Sequence, residues 1–308
     1  MGISEREIIE IISQTFASTH PELQLGIGDD AAVFTGSPHQ VVTTDVAVEG
    51  THFKQKWSSP IDIGRRVIAA NIADLLSMNA QPQFLLVTLT LTGDEDREWI
   101  ENVARGIAEE AARTGAVVIG GDTARGKELS IGVTAIGKTS KVVTRSGAQV
   151  GEQVYLSSLT GWSAAGLTLM QADSGLRTPA AEKARSQYRA PSLDYGIDFS
   201  SASAMCDVSD SLAVQGAQLA QASGVRLVIN EALFENSSEY AELKVIGDEI
   251  GVDVFTWIAA GGEDHVLLAT GDNLPGLCIG EVREGIGLDF IDREGNKKVA
   301  PQSWDHFH

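Results

Sequence analysis

GIGDDAAVF, residues Gly26 to Phe34, sets two aspartates side by side in a glycine-rich turn. Its spacing formally matches the dinucleotide fingerprint G-x-G-x-x-A, and a fold decision hangs on that match. A true fingerprint opens a helix whose N-terminal amides hold a pyrophosphate at the edge of a parallel, doubly wound sheet. Here AVF runs into Gly36 and Pro38, so no helix of useful length follows, and Asp29 and Asp30 would repel a pyrophosphate. The dinucleotide reading is excluded, and the paired carboxylates need another purpose.

On the N-terminal side of this stretch, Ser4 followed by Glu7 gives a capping-box signal. Ile8, Ile9, Ile11, Ile12 and Phe16 then recur at helical spacing, which predicts an amphipathic helix. On the C-terminal side, QVVTTDVAV (Gln40 to Val48) predicts a buried strand. Ser59-Pro60 opens a helix through Ala80, with Asp62 near the positive end of its dipole. FLLVTLTLT predicts a strand, Asp94 to Thr114 a helix, and AVVIG and LSIGVTAIG two more strands. Past Gly147 the order begins again with the strand QVYLSSL, a helix from Trp162 to Met170 and the helix-like AAEKARSQYR. A helix from about Ser209 to Ser223, the strand VRLVIN, the helix EYAELKVIGDEI and the strands HVLLAT, LCIGEV and LDFID follow. This alternation predicts an α/β protein. SGAQVG, Ser146 to Gly151, breaks both periods and divides the chain into residues 1–147 and 148–308.

The 308 residues are 43% hydrophobic, enough for two cores, and 23 Lys and Arg against 42 Asp and Glu leave a formal charge of −19. Such a surface disfavours nucleic acid and anionic membranes as partners. An anionic substrate requires cations or backbone dipoles that reverse the sign locally. Cys206 and Cys278 form neither a metal spacing nor a disulfide framework. The opening MGISEREIIEIISQTF lacks the order of a signal peptide, and no apolar run is long enough to span a membrane. A cytoplasmic location is expected.

Gly121, Gly126 and Lys127 fit G-x-x-x-x-G-K, but Glu128 stands where a magnesium-binding Ser or Thr belongs and a strand follows, so the P-loop reading fails too. What remains is a set of aspartates at the ends of predicted elements: Asp29, Asp30, Asp45, Asp74, Asp122, Asp207, Asp210 and Asp264. Taken singly, each could be a turn or cap residue. Asp74 lies well inside a helix among Ile72, Leu75 and Leu76, where a carboxylate needs a partner. As a set, carboxylates and hydroxyls beside glycines supply the hard oxygen ligands that Mg²⁺ takes alongside phosphates. No EF-hand loop is present, and a glycosidase pair would leave the other aspartates unexplained.

In this order GIGDDAAV, TTDVAVEGTHF, AANIADLLSMNAQP, IGGDTARG, TRSGA, DVSDSLA, GGEDH and the terminal WDHF resemble the thiamine-monophosphate kinase family. That family belongs to the superfamily of aminoimidazole ribonucleotide synthetase, selenophosphate synthetase and the hydrogenase-maturation dehydratase. The resemblance implies a two-domain α/β (α+β) fold, an N-terminal domain that dimerises through its sheet into a homodimer, and ATP bound without a P-loop. It implies that Asp30, Thr43, Thr44, Asp45, Asp74, Asp122, Asp207 and Asp210 hold several Mg²⁺ ions, with catalysis depending on Asp30, Asp74 and Asp210. By the same resemblance Gly121, Asp122, Arg145 and Ser209 touch ATP, and His52, Glu263 and Trp304 the thiamine phosphate. Ser211 stands where the family usually carries glycine, a change expected to crowd the backbone near the phosphates.

The implied reaction passes the γ-phosphoryl of ATP to thiamine monophosphate. Its acceptor oxygen has a second pKa of about 6, so no strong general base is needed, and the task is to neutralise and align two polyanions. Two other readings stay open on the residues. One is a different phosphate-activating enzyme of the superfamily, disfavoured because no Cys precedes Cys206 and the chain ends in WDHFH rather than a reactive Cys. The other is a non-catalytic metal- or nucleotide-binding protein.

Overall fold

A computed structural model of the chain describes residues 23–25, 32–34 and 39–300. The predicted N-terminal helix, Asp29, Asp30 and Trp304 lie outside the described residues. Two short strands, β1 (Leu23–Leu25) and β2 (Ala32–Phe34), lead antiparallel into β3 (His39–Val48), the strand predicted from QVVTTDVAV. Then come α1 (Pro60–Ser77), β4 (Gln81–Leu91), α2 (Arg97–Ala112), β5 (Val117–Arg125) and β6 (Ser130–Thr139). The six strands order as β1-β2-β3-β6-β4-β5. Only β4 and β5 pair parallel among them, so alternating α and β in the sequence does not here produce a parallel sheet.

The second part contains β7 (Gln153–Leu156), α3 (Trp162–Gln171), α4 (Pro179–Arg189), β8 (Ala204–Val208), α5 (Leu212–Ser223), β9 (Arg226–Asn230) and α6 (Glu231–Phe234). It continues through α7 (Ser238–Ile250), α8 (Val254–Ala260), β10 (Val266–Gly271), β11 (Leu277–Arg283), β12 (Gly287–Ile291) and β13 (Lys297–Lys298). These strands form a seven-stranded mixed sheet, β13-β12-β9-β11-β7-β10-β8. The sequence reading missed the very short β1, β2, α6 and β13, and also β8 and α8. AMCDV is short and wholly buried, without alternation, and VFTWIAA is apolar nearly all round, so neither carries a period.

α1 holds the two parts together. Its start is fixed by a reciprocal capping box: Ser59 Oγ accepts from Asp62 N at 3.2 Å while Asp62 Oδ2 accepts from Ser59 N at 3.1 Å, with Pro60 in the first turn. It stops at Ser77, short of the predicted Ala80, because Asn79 takes a left-handed φ of 56° and Ala80 N reaches back to Leu75 O. Ile63, Ile68, Ile72 and Leu75 are fully buried against β3 and β6, while the same helix also packs on β8 and β10 of the second sheet. A polar residue on α1 can therefore face the seam between the two sheets.

The other face of the first sheet carries no helix among the described residues. Val46, Phe84 and Leu86 are exposed on it, and Val117, Val118 and Ile119 are exposed along the edge strand β5. No helix among the described residues is long and apolar enough to cross a membrane.

Candidate functional site

Four segments converge on the seam: β3, α1, the turn after β8, and the loop between α8 and β10. Asp45, His52, Arg66, Asn71, Asp74, Asp207, Ser209, Asp210, Glu263 and His265 line one cavity of about 180 Å³ there. A larger cavity of about 690 Å³ opens elsewhere, between the end of α1 and the loop before β8, and none of the predicted site residues lines it.

Strand alternation turns Val41, Thr43 and Asp45 toward α1 and Thr44 away from it. Thr43 Oγ1 donates to Asp74 Oδ2 at 2.6 Å, which is the partner that Asp74 needs inside its helix. Thr44 Oγ1 donates instead to Val133 O at 3.0 Å and meets Thr134 on the opposite face of the sheet. Val67, Asn71 and Asp74 lie three or four residues apart, so one stripe of α1 faces the cavity.

The DVSD turn carries Asp207, nearly fully buried, and Asp210. Gln215, one turn into α5, holds it in place. Its Nε2 donates to Asp210 Oδ2 at 3.2 Å and to Ser209 Oγ at 3.3 Å, while its Oε1 accepts from Ser211 N at 3.0 Å. Ser211 sits here without a backbone conformation reserved for glycine. It is extended, with φ 177°, and its hydroxyl caps α5 by accepting from Val214 N at 3.1 Å.

The GGEDH loop is strapped onto this turn: Glu263 N donates to Ser209 O and His265 N to Val208 O. The approach is so close that a Cβ on Gly262 would fall 2.4 Å from Asp210 O, so only glycine fits. Glu263 and His265 both adopt left-handed backbone, with φ 67° and 53°, a strain that the surrounding contacts must hold. Asp264 faces away from the cavity and takes a structural role. Its carboxylate accepts from Gly161 N at 2.6 Å and Ser163 N at 2.8 Å, anchoring the N-terminus of α3.

A chain of charges crosses the cavity. Arg66 Nη2 donates to Glu263 Oε2 at 2.5 Å, and the other guanidinium arm reaches Tyr188 O. His265 stands between two carboxylates, with Nε2 at 3.5 Å from Glu263 Oε2 and Nδ1 at 3.3 Å from Asp207 Oδ2. Burial pushes the Glu263 carboxyl up, but Arg66 and then His265 outweigh it and hold the pKa down to about 2. Burial alone would lower His265; the carboxylates of Asp207 and Glu263 overcome it and raise the imidazole to about 10.

At the other end the balance reverses. The Asp74 carboxyl is pushed well above its ordinary value by burial and then by Asp207 and Asp45, against the pull of Thr43 and His265. Asp45 is raised by its withdrawal from water and by Asp207, Glu263 and Asp210, with His265 opposing; much of Asp45 remains exposed, so water screens this shift. Five carboxylates thus share one small space with one arginine and two histidines. Among the described residues no three His, Cys, Asp or Glu side chains close on a common point. A cation here would complete its shell with other oxygens, such as phosphate, water or amide.

Gly121, Asp122 and Arg145 are not among the residues lining this cavity, whereas His52 is. Gly121 and Asp122 sit on the exposed edge strand β5, where a Cβ on Gly121 would fall 1.8 Å from Val87 O, a packing reason for that glycine. Arg145 lies between β6 and β7, its carbonyl accepting from Ser223 Oγ. His52 follows β3, and its Nδ1 accepts from Val48 N at 3.1 Å, leaving Nε2 as the ring donor of the neutral form. Sequence reasoning missed Arg66, Asn71, Gln215 and His265. The visible signal was the polar spacing on α1, where Arg66 and Asn71 interrupt an apolar helix on the approach to Asp74.

Residues 28–139 match the family model described as AIR synthase related protein, N-terminal domain. The chain is 33% identical over 321 residues to the thiamine-monophosphate kinase of Corynebacterium glutamicum, covering 99% of this chain and 94% of that protein. It is 35% identical over 293 residues to the thiamine-monophosphate kinase of Mycobacterium tuberculosis, covering 92% and 86%. A solved structure described as AaThiL complexed with AMPPCP and TMP superposes with a TM-score of 0.89 at 29% identity, covering 100% of this chain and 99% of that one.

Proposed function

Because the chain belongs to the thiamine-monophosphate kinase family, we propose that it transfers the γ-phosphoryl of ATP to the phosphate of thiamine monophosphate, releasing thiamine diphosphate and ADP. The observation that carries this reading is the cavity at the seam, where Asp45, Asp74, Asp207, Asp210 and Glu263 arrive from four separate segments. Like charges so arranged are stable only with counter-charge, and their hard oxygens suit Mg²⁺. Bound Mg²⁺ supplies charge neutralisation to phosphates that the carboxylates would otherwise repel.

The chain's own residues prepare that site. Thr43 orients Asp74, and Gln215 fixes Asp210 against Ser209. Arg66 and His265 keep Glu263 ionised, so it can face the cationic thiazolium. We assign Asp30, Thr43 and Asp122 with Asp45, Asp74, Asp207 and Asp210 to the magnesium cradle, leaving out Thr44, whose hydroxyl turns to the opposite face of the sheet. We assign Gly121, Arg145 and Ser209 to the nucleotide, and His52 and Trp304 with Glu263 to the thiamine phosphate. Asp122 lies on β5, whose Val117, Val118 and Ile119 are exposed. We assign the exposed face of the first sheet to a homodimer contact across which Gly121 and Asp122 act. The division of labour falls between residues 1–147, which bind nucleotide and dimerise, and 148–308, which complete the site. A cytoplasmic location belongs to the same proposal, supported by a chain whose two cysteines, Cys206 and Cys278, make no disulfide framework.

The acceptor phosphate is ionised near neutral pH, its second pKa being about 6, so in-line attack needs no side-chain base and no phosphoenzyme. Incubation with ATP, Mg²⁺ and thiamine monophosphate is expected to give thiamine diphosphate and ADP in equal amounts. ADP without thiamine diphosphate would reassign the acceptor, and a labelled phosphoprotein on the turnover pathway would end the in-line reading.

A further inference from the structure

Asn71 is 1% exposed, yet it lines the cavity one helical turn before Asp74. Its Nδ2 donates to Val67 O at 2.8 Å. That bond fixes the amide orientation, because the flipped assignment would set oxygen against oxygen. Oδ1 is therefore the atom left for the cavity, and it has no hydrogen-bond partner among the described residues. A buried acceptor without a donor is costly, and such groups are retained where a ligand satisfies them.

The surroundings narrow the ligand. A phosphate oxygen carries no proton to donate near neutral pH, so Oδ1 does not read a phosphate directly. Arg66 is engaged by Glu263 and Tyr188, and His265 stands between Glu263 and Asp207. The nearest reason for an acceptor beside Asp74 is the same one that gathers the carboxylates. Amide oxygens are hard ligands for divalent cations or for water in their shells, and no three acidic or imidazole side chains among the described residues close a site by themselves.

We infer that Asn71 Oδ1 is a neutral oxygen donor to the divalent-cation site, placed on α1 between Asp74 and the Arg66–Glu263 pair. This rests on the magnesium cradle proposed above. A neutral donor at that place adds a ligand without adding to the negative charge already crowded there.

The test is calorimetric titration of the full-length protein with MgCl₂, beside thermal melting without metal, for the wild type, Asn71→Leu and Asn71→Asp. Asn71→Leu removes the orphaned acceptor at similar volume, so it is expected to melt no lower than the wild type while binding Mg²⁺ about 10-fold to 100-fold more weakly. Asn71→Asp restores an oxygen donor and is expected to regain Mg²⁺ affinity while melting lower without metal. Wild-type Mg²⁺ affinity in a folded Asn71→Leu would overturn the assignment and leave the cradle standing. Absence of saturable Mg²⁺ binding by the wild type itself would overturn both.

Discussion

Two carboxylates on the helices of the first sheet, Glu110 on α2 and Asp74 on α1, meet opposite electrostatic surroundings. Glu110 is fully buried, and its oxygens meet Arg65 Nε at 2.9 Å, Arg113 Nη1 at 2.6 Å and Tyr195 OH at 2.5 Å. Two cations and a hydroxyl discharge one acid, and burial together with Glu110 holds the Tyr195 phenol protonated well above its ordinary range. Asp74 has one hydroxyl, from Thr43, and its strongest charged neighbours are further carboxylates, Asp207 and Asp45. Glu110 is complete within the chain and serves the fold. Asp74 lacks such cations, and the magnesium proposed above would supply the counter-charge.

The sharpest way to break that contrast is Asp74→Asn. Turnover is expected to fall by at least about 10²-fold to 10³-fold, the scale seen when one preorganised electrostatic group is lost. The melting temperature without metal should hold or rise. The Asp74 pKa is raised in the folded chain, so its stabilising effect is present in acid and is lost as pH rises from the ordinary carboxylate range through the raised value. Above that window the charged group is a burden that asparagine removes, while still accepting from Thr43. A variant that melts much lower than the wild type would place Asp74 in the same class as Glu110.

Glu110→Gln is the complementary substitution. Arg65 and Arg113 are 33% and 37% exposed at their side chains and can turn partly to water, so the cost is below that of a fully buried pair. A loss of about 2 kcal/mol, or roughly 4–8 °C, is expected with kcat per folded molecule within about twofold of the wild type. A selective loss of kcat without loss of stability would blur the distinction between the two sites.

Proton linkage gives a third comparison. Asp74 and Asp45 hold protons to higher pH than ordinary carboxylates, so Mg²⁺ binding must release them and its midpoint should move to higher Mg²⁺ as pH falls through that window. Calorimetry in buffers of different ionisation enthalpy counts the protons, and a pH-independent midpoint without proton release would oppose the account. The smallest effect is expected from Thr43→Val, which loses one hydrogen bond to Asp74. About 1 kcal/mol, near fivefold to tenfold in kcat/KM, is the scale for that change, with the KM for thiamine monophosphate little altered.

Much of the fold was visible in the sequence because its elements keep clear periods or caps. Ser59, Pro60 and Asp62 announce α1, and QVVTTDVAV announces β3. Strand direction was not visible, since pairing partners are set by contacts distant in the chain. The strand read from AVVIG ends at Gly120, yet β5 continues through Arg125 past a register shift at Ile119, with Gly121 lying so close to Val87 O that a Cβ would not fit. The aspartates were visible as a motif set, but their sorting was not: Asp264 proves to anchor α3, while Asp207 and Asp210 line the cavity. Arg66 and His265 were missed because each acts on a residue remote in sequence, Glu263 and Asp207. Gln215 was missed because its reach back to Asp210 depends on the shape of the turn between them, which carries no period.

The central claim, that the clustered carboxylates receive their counter-charge from a divalent cation, is tested most directly by the Mg²⁺-induced rise in melting temperature, measured in parallel on the wild type, Glu110→Gln and Asp74→Asn. The wild type and Glu110→Gln are expected to gain the same increment from different baselines, and Asp74→Asn to gain little or none. An undiminished Mg²⁺ increment in Asp74→Asn would contradict the claim.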